Sequence, residues 1–172
     1  MTNEEKQLLF KDLCGRLPYG VKFPYHKEED SNHRECDCVA TLYSIDEDSV
    51  EFDYSDNGWE REWSCTLSEV KPYLRPLSSM TEEELKDYAK TRFQDDKIWE
   101  IVEMRVVKNE FVNVKCRNKN NNESTWIFQI HKRDPLETWE GIDWLNFHHF
   151  DYRGLITKGL ALEAPEGMYK ID

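Results

Sequence analysis

Apolar and polar residues alternate in three consecutive segments of the first half of the chain, at 38–45, 49–54 and 60–67. In the middle segment, Val50, Phe52 and Tyr54 alternate with Glu51 and Asp53. Successive residues of a strand point to opposite faces of a sheet, so this alternation is typical of half-buried strands. The pattern predicts three strands whose inner face is apolar and whose outer face is acidic.

Short turns connect these segments into one antiparallel unit. Asn57 and Gly58 supply the positive φ values that a tight hairpin needs. An earlier alternating segment begins at Val21, and the prolines Pro72 and Pro76 exclude a further central strand after the third segment. The pattern therefore predicts a β meander that curls into a small barrel.

Helix signals flank the meander. Thr2 with Glu5 and Thr81 with Glu84 are capping boxes, each followed by an apolar run of helical spacing. Three further strand signals follow between 98 and 131, and strands cluster together instead of alternating with helices. The predicted fold class is α+β: an N-terminal helix and a small antiparallel β-barrel or meander, then a helix, a β-hairpin or three-stranded sheet, and C-terminal helices.

The two serines before the second capping box mark the best candidate domain boundary. It divides the chain into residues 1–78, a helix with an acidic barrel-like unit, and residues 79–172, an α+β unit with C-terminal helices. The alternative is one continuous domain.

The last third of the chain predicts two helices. Asp134 followed by Pro135 is a helix start. The apolar residues of this helix recur at every third position, at Leu136, Trp139, Ile142 and Leu145. That spacing predicts a buried stripe. Asp151 is predicted to cap a final short helix that ends near Gly159.

The net charge of −12 at pH 7 is concentrated in one part of the chain. Between 28 and 69 there are 14 Asp or Glu residues, and the cations are only Arg34 and Arg61, so this segment alone carries −12. Binding DNA or RNA through phosphates needs a basic face, so the charge argues against direct nucleic-acid binding and favours a basic protein partner. The alternative is that the charge only keeps the domain in solution. The candidate binding residues are Glu51, Asp53, Glu60 and Glu62.

No window approaches the roughly 18 consecutive apolar residues of a membrane span, and the first residues do not resemble a secretion signal. We therefore expect no membrane association and a cytoplasmic location. The chain has five cysteines. Without an export signal they are expected to be reduced thiols that form no disulfide.

The candidate metal ligands are His33, Cys36 and Cys38, with His26 nearby in sequence. Residues two apart on a strand point the same way, so the two cysteines could share a metal ion. Their single intervening residue is fewer than the roughly two to four that are usual in structural zinc sites, and there is no second cysteine pair. We therefore expect no structural metal and no cofactor.

A second cluster of reactive groups lies near the C-terminus, at His148, His149, Asp151 and Arg153. Imidazole titrates near neutral pH and a carboxylate can orient it, so these are the candidate catalytic residues. Neighbouring helical residues point about 100° apart, so the two histidines cannot face one substrate from a helix. The alternative is a structural junction in which one histidine is partly buried, the other is more exposed and Asp151 is a helix cap.

Four long segments resemble small uncharacterised proteins encoded in gut Bacteroidales genomes and their prophages or mobile elements. They read KDLCGRLPYGV from 11, KPYLRPLSSMTEEE from 71, HHFDYRGLI from 148 and GLALEAPEGMY from 159. The resemblance covers the start, middle and end of the chain. It implies a bacterial cytoplasm and a phage origin, and it implies no activity, cofactor or catalytic residue.

Two functional classes remain. The favoured one is a noncatalytic, acidic protein-interaction protein, phage-encoded and acting on a host factor; its sharper variant is an inhibitor that imitates DNA phosphates. The alternative is a small enzyme with its site around His148, His149, Asp151 and Arg153. Gly15 to Gly20 has the glycine spacing of a phosphate loop but lacks the lysine and hydroxyl residue that should follow, and no familiar hydrolase or dinucleotide motif is present.

Overall fold

A computed structural model describes residues 1–27, 36–47, 49–56, 59–93, 97–108, 110–132 and 138–169. The helices are α1 (Asn3–Arg16), α2 (Glu82–Thr91) and α3 (Trp139–Phe147). The strands are β1 (Lys22–Lys27), β2 (Cys36–Ile45), β3 (Ser49–Asp56), β4 (Trp59–Thr66), β5 (Tyr73–Pro76), β6 (Trp99–Val107), β7 (Phe111–Asn118), β8 (Ser124–His131), β9 (Phe150–Asp151) and β10 (Leu162–Glu163). The predicted α+β fold class is confirmed.

The chain divides into two compact units. The first comprises Met1–Arg75 together with Arg153–Asp172, and the second comprises Pro76–Tyr152. The sequence pattern places its boundary after 78 and groups 79–172 together. In the structure the chain returns to the first unit at Arg153, because the segment after it packs on the N-terminal core.

Helix α1 opens the first unit with the predicted capping box. The Thr2 amide donates to the Glu5 carboxylate at 2.7 Å, and the Glu5 amide donates to the Thr2 hydroxyl at 3.2 Å. After the helix, Gly20 turns the chain toward β1 with φ of 62°. A side chain there would be strained, and its Cβ would lie 3.3 Å from a methyl group of Thr41. Glycine is therefore the residue that fits this turn.

Strands β1 to β4 form the predicted antiparallel meander, paired in sequence order. Val50, Phe52 and Leu67 are fully buried, whereas Glu51 and Asp53 are exposed, which confirms the two-faced prediction. In the described part of the chain the four strands form an open sheet. Closure into a barrel is not found there, since each edge strand pairs with one neighbour only. The Asn57–Gly58 turn lies outside the described residues.

Aromatic rings build the inner layer of this sheet. Phe52 packs between Phe23 and Trp63, with ring centroids 4.6 and 5.1 Å away. Tyr25 lies 4.4 Å from Tyr54 and 4.8 Å from Trp63. Burying a side chain of this size contributes about 1.5–3 kcal/mol. The contiguous layer of aromatic rings therefore stabilises the sheet on its buried face.

The C-terminal segment returns to the first unit and is fixed there by backbone pairing. Strand β10 pairs in parallel with β5, so that Leu162 lies opposite Tyr73. The predicted helix after Asp151 is wrong: Asp151 lies in β9, and a turn follows that ends at Gly159 with φ of 70°. The run after Asp151 is too short and too rich in glycine to nucleate a helix.

The second unit packs α2 and α3 with the antiparallel sheet β6–β7–β8. Helix α2 has the predicted capping box, in which the Thr81 amide donates to the Glu84 carboxylate at 2.8 Å. The core of the second unit includes Leu85, Tyr88, Val112 and Leu145, all fully buried.

The start and the buried face of α3 differ from the prediction. Thr138 is the N-cap, and its hydroxyl accepts from the Gly141 amide at 3.1 Å; Asp134 and Pro135 lie outside the described residues. Trp139, predicted in the buried stripe, is 78% exposed. A three-residue spacing drifts by about 60° at each step around an α-helix, so Trp139 and Leu145 point about 120° apart. The helix buries only Leu145 of that pair.

Among the described residues, none of the helices combines the length and apolar character needed to cross a bilayer. The longest, α1, has 14 residues.

Candidate functional site

The outer face of the N-terminal sheet carries an open groove with a volume of about 720 Å³. It spans β2, β3 and β4 and is lined by Val39, Thr41, Tyr43, Asp53, Tyr54, Ser55, Glu60, Arg61 and Glu62. We call it the acidic groove. Three of the four predicted binding residues, Asp53, Glu60 and Glu62, line it. Glu51 is exposed on the same face of β3 and is not among the lining residues.

Strand register brings the groove carboxylates together. Asp53 of β3 lies directly opposite Glu62 of β4, and Thr41 of β2 lies opposite Asp53 on the other side. Ser55 lies opposite Glu60 in the next pair but one. Like charges directly opposite each other on neighbouring strands repel and destabilise the sheet. The Asp53–Glu62 pair therefore favours a cation above this face.

Apolar surface lies beside these carboxylates. The Tyr43 side chain is 60% exposed and the Val39 side chain is 46% exposed. An exposed aromatic ring next to carboxylates is the combination that an arginine uses well, because its guanidinium stacks on the ring and pairs with the acids. The groove thus combines charge and shape suited to a basic side chain.

The predicted catalytic residues are divided between the two compact units: His148, His149 and Asp151 belong to the second, and Arg153 belongs to the first. His148 lies within the second unit, where its ring stacks on Trp144 with centroids 3.7 Å apart. Its Nδ1 lies 2.8 Å from the Trp144 carbonyl oxygen and donates its proton to it. Arg153 lies within the first unit, and its Nε lies 3.2 Å from Asp12 Oδ1. His148 and Arg153 thus each have a partner within their own unit.

His149 and Asp151 also differ from the junction predicted from the sequence. Both histidines are buried, with His148 8% and His149 5% exposed, so the expectation of one exposed histidine is wrong. His149 has φ of 58° and its amide donates to the Asn146 carbonyl at 3.1 Å, which ends α3 in a left-handed residue. Helix α3 thus ends at Phe147 with His148 as its C-cap, and the left-handed residue that follows turns the chain toward β9. Asp151 is a buried strand residue and caps no helix.

The structure adds a buried ion cluster that the sequence analysis did not single out. Asp12 and Arg16 are fully buried, and Arg16 donates to both Asp12 oxygens, through Nε at 2.7 Å and Nη2 at 3.2 Å. Arg153 approaches the same carboxylate. The four-residue spacing of Asp12 and Arg16 in α1 is a local signal for the pair, but only the fold brings in Arg153.

Lys132 is a second buried ionic group that sequence reasoning missed. It lies at the end of β8, and its Nζ donates to the Met80 carbonyl oxygen. Burial lowers the pKa of Lys132, against the opposing charges of Glu84, Glu82 and Glu110. The Met80 carbonyl lies two residues before α2, so this lysine connects the sheet to the helix.

The metal and cysteine predictions have separate outcomes. Among the described residues, no three His, Cys, Asp or Glu side chains lie close enough to hold a metal ion; His33 and the Cys36 side chain lie outside that description. The expectation that no cysteine forms a disulfide is wrong, because Cys38 is disulfide-bonded. An expectation based on compartment takes no account of whether the fold brings two sulfurs within bonding distance, which is why it gave the wrong answer.

Cys14, Cys65 and Cys116 form no disulfide, and we expect these three thiols to react at different rates. Burial and the Glu69 charge raise the pKa of Cys65 to about 11, and burial raises that of Cys14. Since the thiolate is the nucleophile, iodoacetamide should label exposed Cys14 first, Cys65 slowly and buried Cys116 only after unfolding. Cys38 should be labelled only after reduction. Peptide mass spectrometry measures all four sites, and native labelling of Cys38 without reductant would contradict the disulfide.

No family model matches the chain, and searches of curated proteins and of solved structures find no match either.

Proposed function

We propose that the protein is a noncatalytic binding protein whose acidic groove takes a basic segment of another protein. The observation that carries this proposal is the pairing of Asp53 with Glu62 across neighbouring strands, inside an open groove with an exposed tyrosine. Repulsion between these two carboxylates lowers the stability of the unbound protein, and a bound cation relieves that repulsion.

The kind of partner follows from the same residues. Arginine satisfies two carboxylates through its fork of N–H donors and stacks on Tyr43. A nucleic acid would bring its phosphates against Asp53, Glu60 and Glu62, which is unfavourable. In the setting that the sequence resemblance implies, a phage protein in a bacterial cytoplasm, the partner is a host factor with a basic surface.

The test is a titration of an arginine-rich peptide into wild-type protein and into the double variant Asp53→Asn with Glu62→Gln. We expect the double variant to weaken binding by at least about tenfold, since one such factor corresponds to about 1.4 kcal/mol. Raising the salt from about 0.05 M to about 0.5 M should weaken wild-type binding and affect the variant less. The melting temperature of the unbound double variant should stay the same or rise slightly, because a repulsive pair is removed.

The matched control is Glu163→Gln with Glu166→Gln, which removes the same two charges from exposed positions of the same unit outside the groove. This control should bind like wild type. Equal weakening in both double variants would mean that peptide binding depends only on the net charge of the protein. Binding that is unchanged by salt and by both double variants would overturn the proposal.

A more specific form of this function, imitation of DNA phosphates, predicts a different result. A protein that occupies the DNA site of a basic partner is displaced by duplex DNA. If duplex DNA displaces the basic partner from the wild-type protein, and the Asp53 and Glu62 double variant does not bind that partner, the DNA-imitating function is favoured.

A further inference from the structure

The second unit has a groove of its own, with a volume of about 380 Å³. Thr91 of α2 lines one side, and the rest of the lining comes from α3: Trp139, Glu140, Asp143, Trp144 and Phe147. We call it the α3 groove. It combines three aromatic side chains with two carboxylates, and it belongs to neither the acidic groove nor the buried ion cluster.

The outermost lining residues follow one face of the helix. Trp139, Asp143 and Phe147 are each four residues apart, so they form a stripe about 12 Å long. Trp139 is 78% exposed and Phe147 is 46% exposed. Large aromatic side chains exposed on one face of a rigid element are typical of contact surfaces. The order along this stripe is apolar, acidic, apolar.

The floor of the α3 groove is fixed. The Trp144 Nε1 donates to Asp87 Oδ2 at 3.0 Å, and its ring stacks on His148. Burial by itself would raise the pKa of Asp87, but hydrogen bonds from Trp144 and Lys90 outweigh it and hold the pKa below its ordinary value. Asp87 therefore stays ionised beside the groove, where Lys90 pairs with it at 3.1 Å and offsets its charge. The carboxylates that line the groove itself are Glu140 and Asp143.

We propose that the α3 groove docks an amphipathic helix of a partner protein that carries a lysine or arginine between two apolar residues. Apolar side chains of the partner cover Trp139 and Phe147, and the cation between them pairs with Asp143. A helix laid in a groove presents such residues at four-residue spacing, which matches the stripe.

Charge decides against a second copy of this chain as the occupant. In a two-fold pair of α3 helices, the stripe meets itself in reverse, so that Trp139 faces Phe147 and Asp143 faces Asp143. That places two carboxylates opposite each other in the centre of the contact, where water is excluded and repulsion is strongest. A basic helix removes this repulsion.

The test uses a synthetic helical peptide of about 15 residues with the pattern Leu-x-x-x-Lys-x-x-x-Leu on one face. Titration of the peptide into the full chain is followed by calorimetry. We expect binding that weakens about tenfold in Asp143→Asn and in Trp139→Ala. A peptide with glutamate in place of the central lysine should bind at least about tenfold more weakly than the lysine peptide.

Two matched variants control for charge and for aromatic content. Glu83→Gln removes a carboxylate from the exposed surface of α2, and Trp126→Ala removes an exposed tryptophan from β8; neither residue lines the α3 groove. Both should bind the peptide like wild type, and melting temperatures verify that all four variants fold. The Asp53 and Glu62 double variant should also bind it normally, so failure here and failure of the acidic groove are distinguishable.

Three results would overturn the proposal. One is no binding of the lysine peptide by the folded wild-type chain. A second is equal binding of the lysine and glutamate peptides. The third is a wild-type dimer in analytical ultracentrifugation that Trp139→Ala dissociates, which would make a second copy the occupant.

Discussion

Replacing Asp12 with alanine is expected to lower the free energy of unfolding by about 3–5 kcal/mol, because it leaves buried guanidinium charge without its carboxylate. Asp12 accepts two hydrogen bonds from Arg16, and Arg153 approaches it at 3.2 Å. The Asp12 and Arg16 side chains are fully buried, so water cannot replace the lost partner. Urea unfolding followed by circular dichroism measures the change.

The ion pair of Glu100 with Arg117 provides the control. Its atoms lie 2.6 Å apart, but its side chains are 50% and 40% exposed. Glu100→Gln is therefore expected to change the free energy of unfolding far less. The double change Asp12→Leu with Arg16→Met should retain more stability than Asp12→Ala alone, because it removes the buried cation as well. Similar losses for Asp12→Ala and Glu100→Gln would contradict the structural role of the buried cluster.

Tyr169→Phe is expected to lower the free energy of unfolding by about 1–3 kcal/mol, since it leaves two backbone groups without their partner. The Tyr169 hydroxyl donates to the Tyr73 carbonyl at 2.8 Å and accepts from the Lys22 amide at 2.9 Å. These bonds fix the C-terminal segment to β1 and β5 within the first unit. Tyr43→Phe, on an exposed ring, is the control and should change stability little.

The effect of Tyr169 should depend on pH. Burial raises the pKa of Tyr169 from 10.0 to about 12, against the opposing effects of the Lys22 amide and the Arg16 charge. The folded state thus favours the neutral phenol, and its contribution is complete below pH 10 and is lost as the pH rises from 10 toward 12. Urea unfolding of wild type and Tyr169→Phe across this range should show their difference shrinking. A constant difference would contradict the phenol as its source.

The meander could be predicted from sequence because its information is local. The alternation from Val50 to Tyr54 specifies which side chains are buried, and it does so whichever strands pair with this segment. The two capping boxes at Thr2 and Thr81 were equally reliable, since both hydrogen bonds of a capping box form within four residues. The acidic groove followed from the same alternation, which placed Asp53 and Glu62 outside.

The failures concern residues whose surroundings are set by distant parts of the chain. Nothing in the sequence around Arg153 points to Asp12, because the two are 141 positions apart and meet only when the C-terminal segment returns. Trp139 was misplaced because a three-residue spacing was treated as one helical face. His149 was misplaced because the end of α3 depends on a left-handed residue that composition does not mark.

The most direct test of the acidic groove is nuclear magnetic resonance of the labelled protein during titration with a peptide of alternating arginine and glycine. Such a peptide carries charge without apolar side chains, so it does not mimic the helix proposed for the α3 groove. The account predicts that amide shifts move at Thr41, Tyr43, Asp53 and Glu62 and that high salt reverses the changes. Shifts confined to other surfaces, or no shifts at low salt, would contradict it.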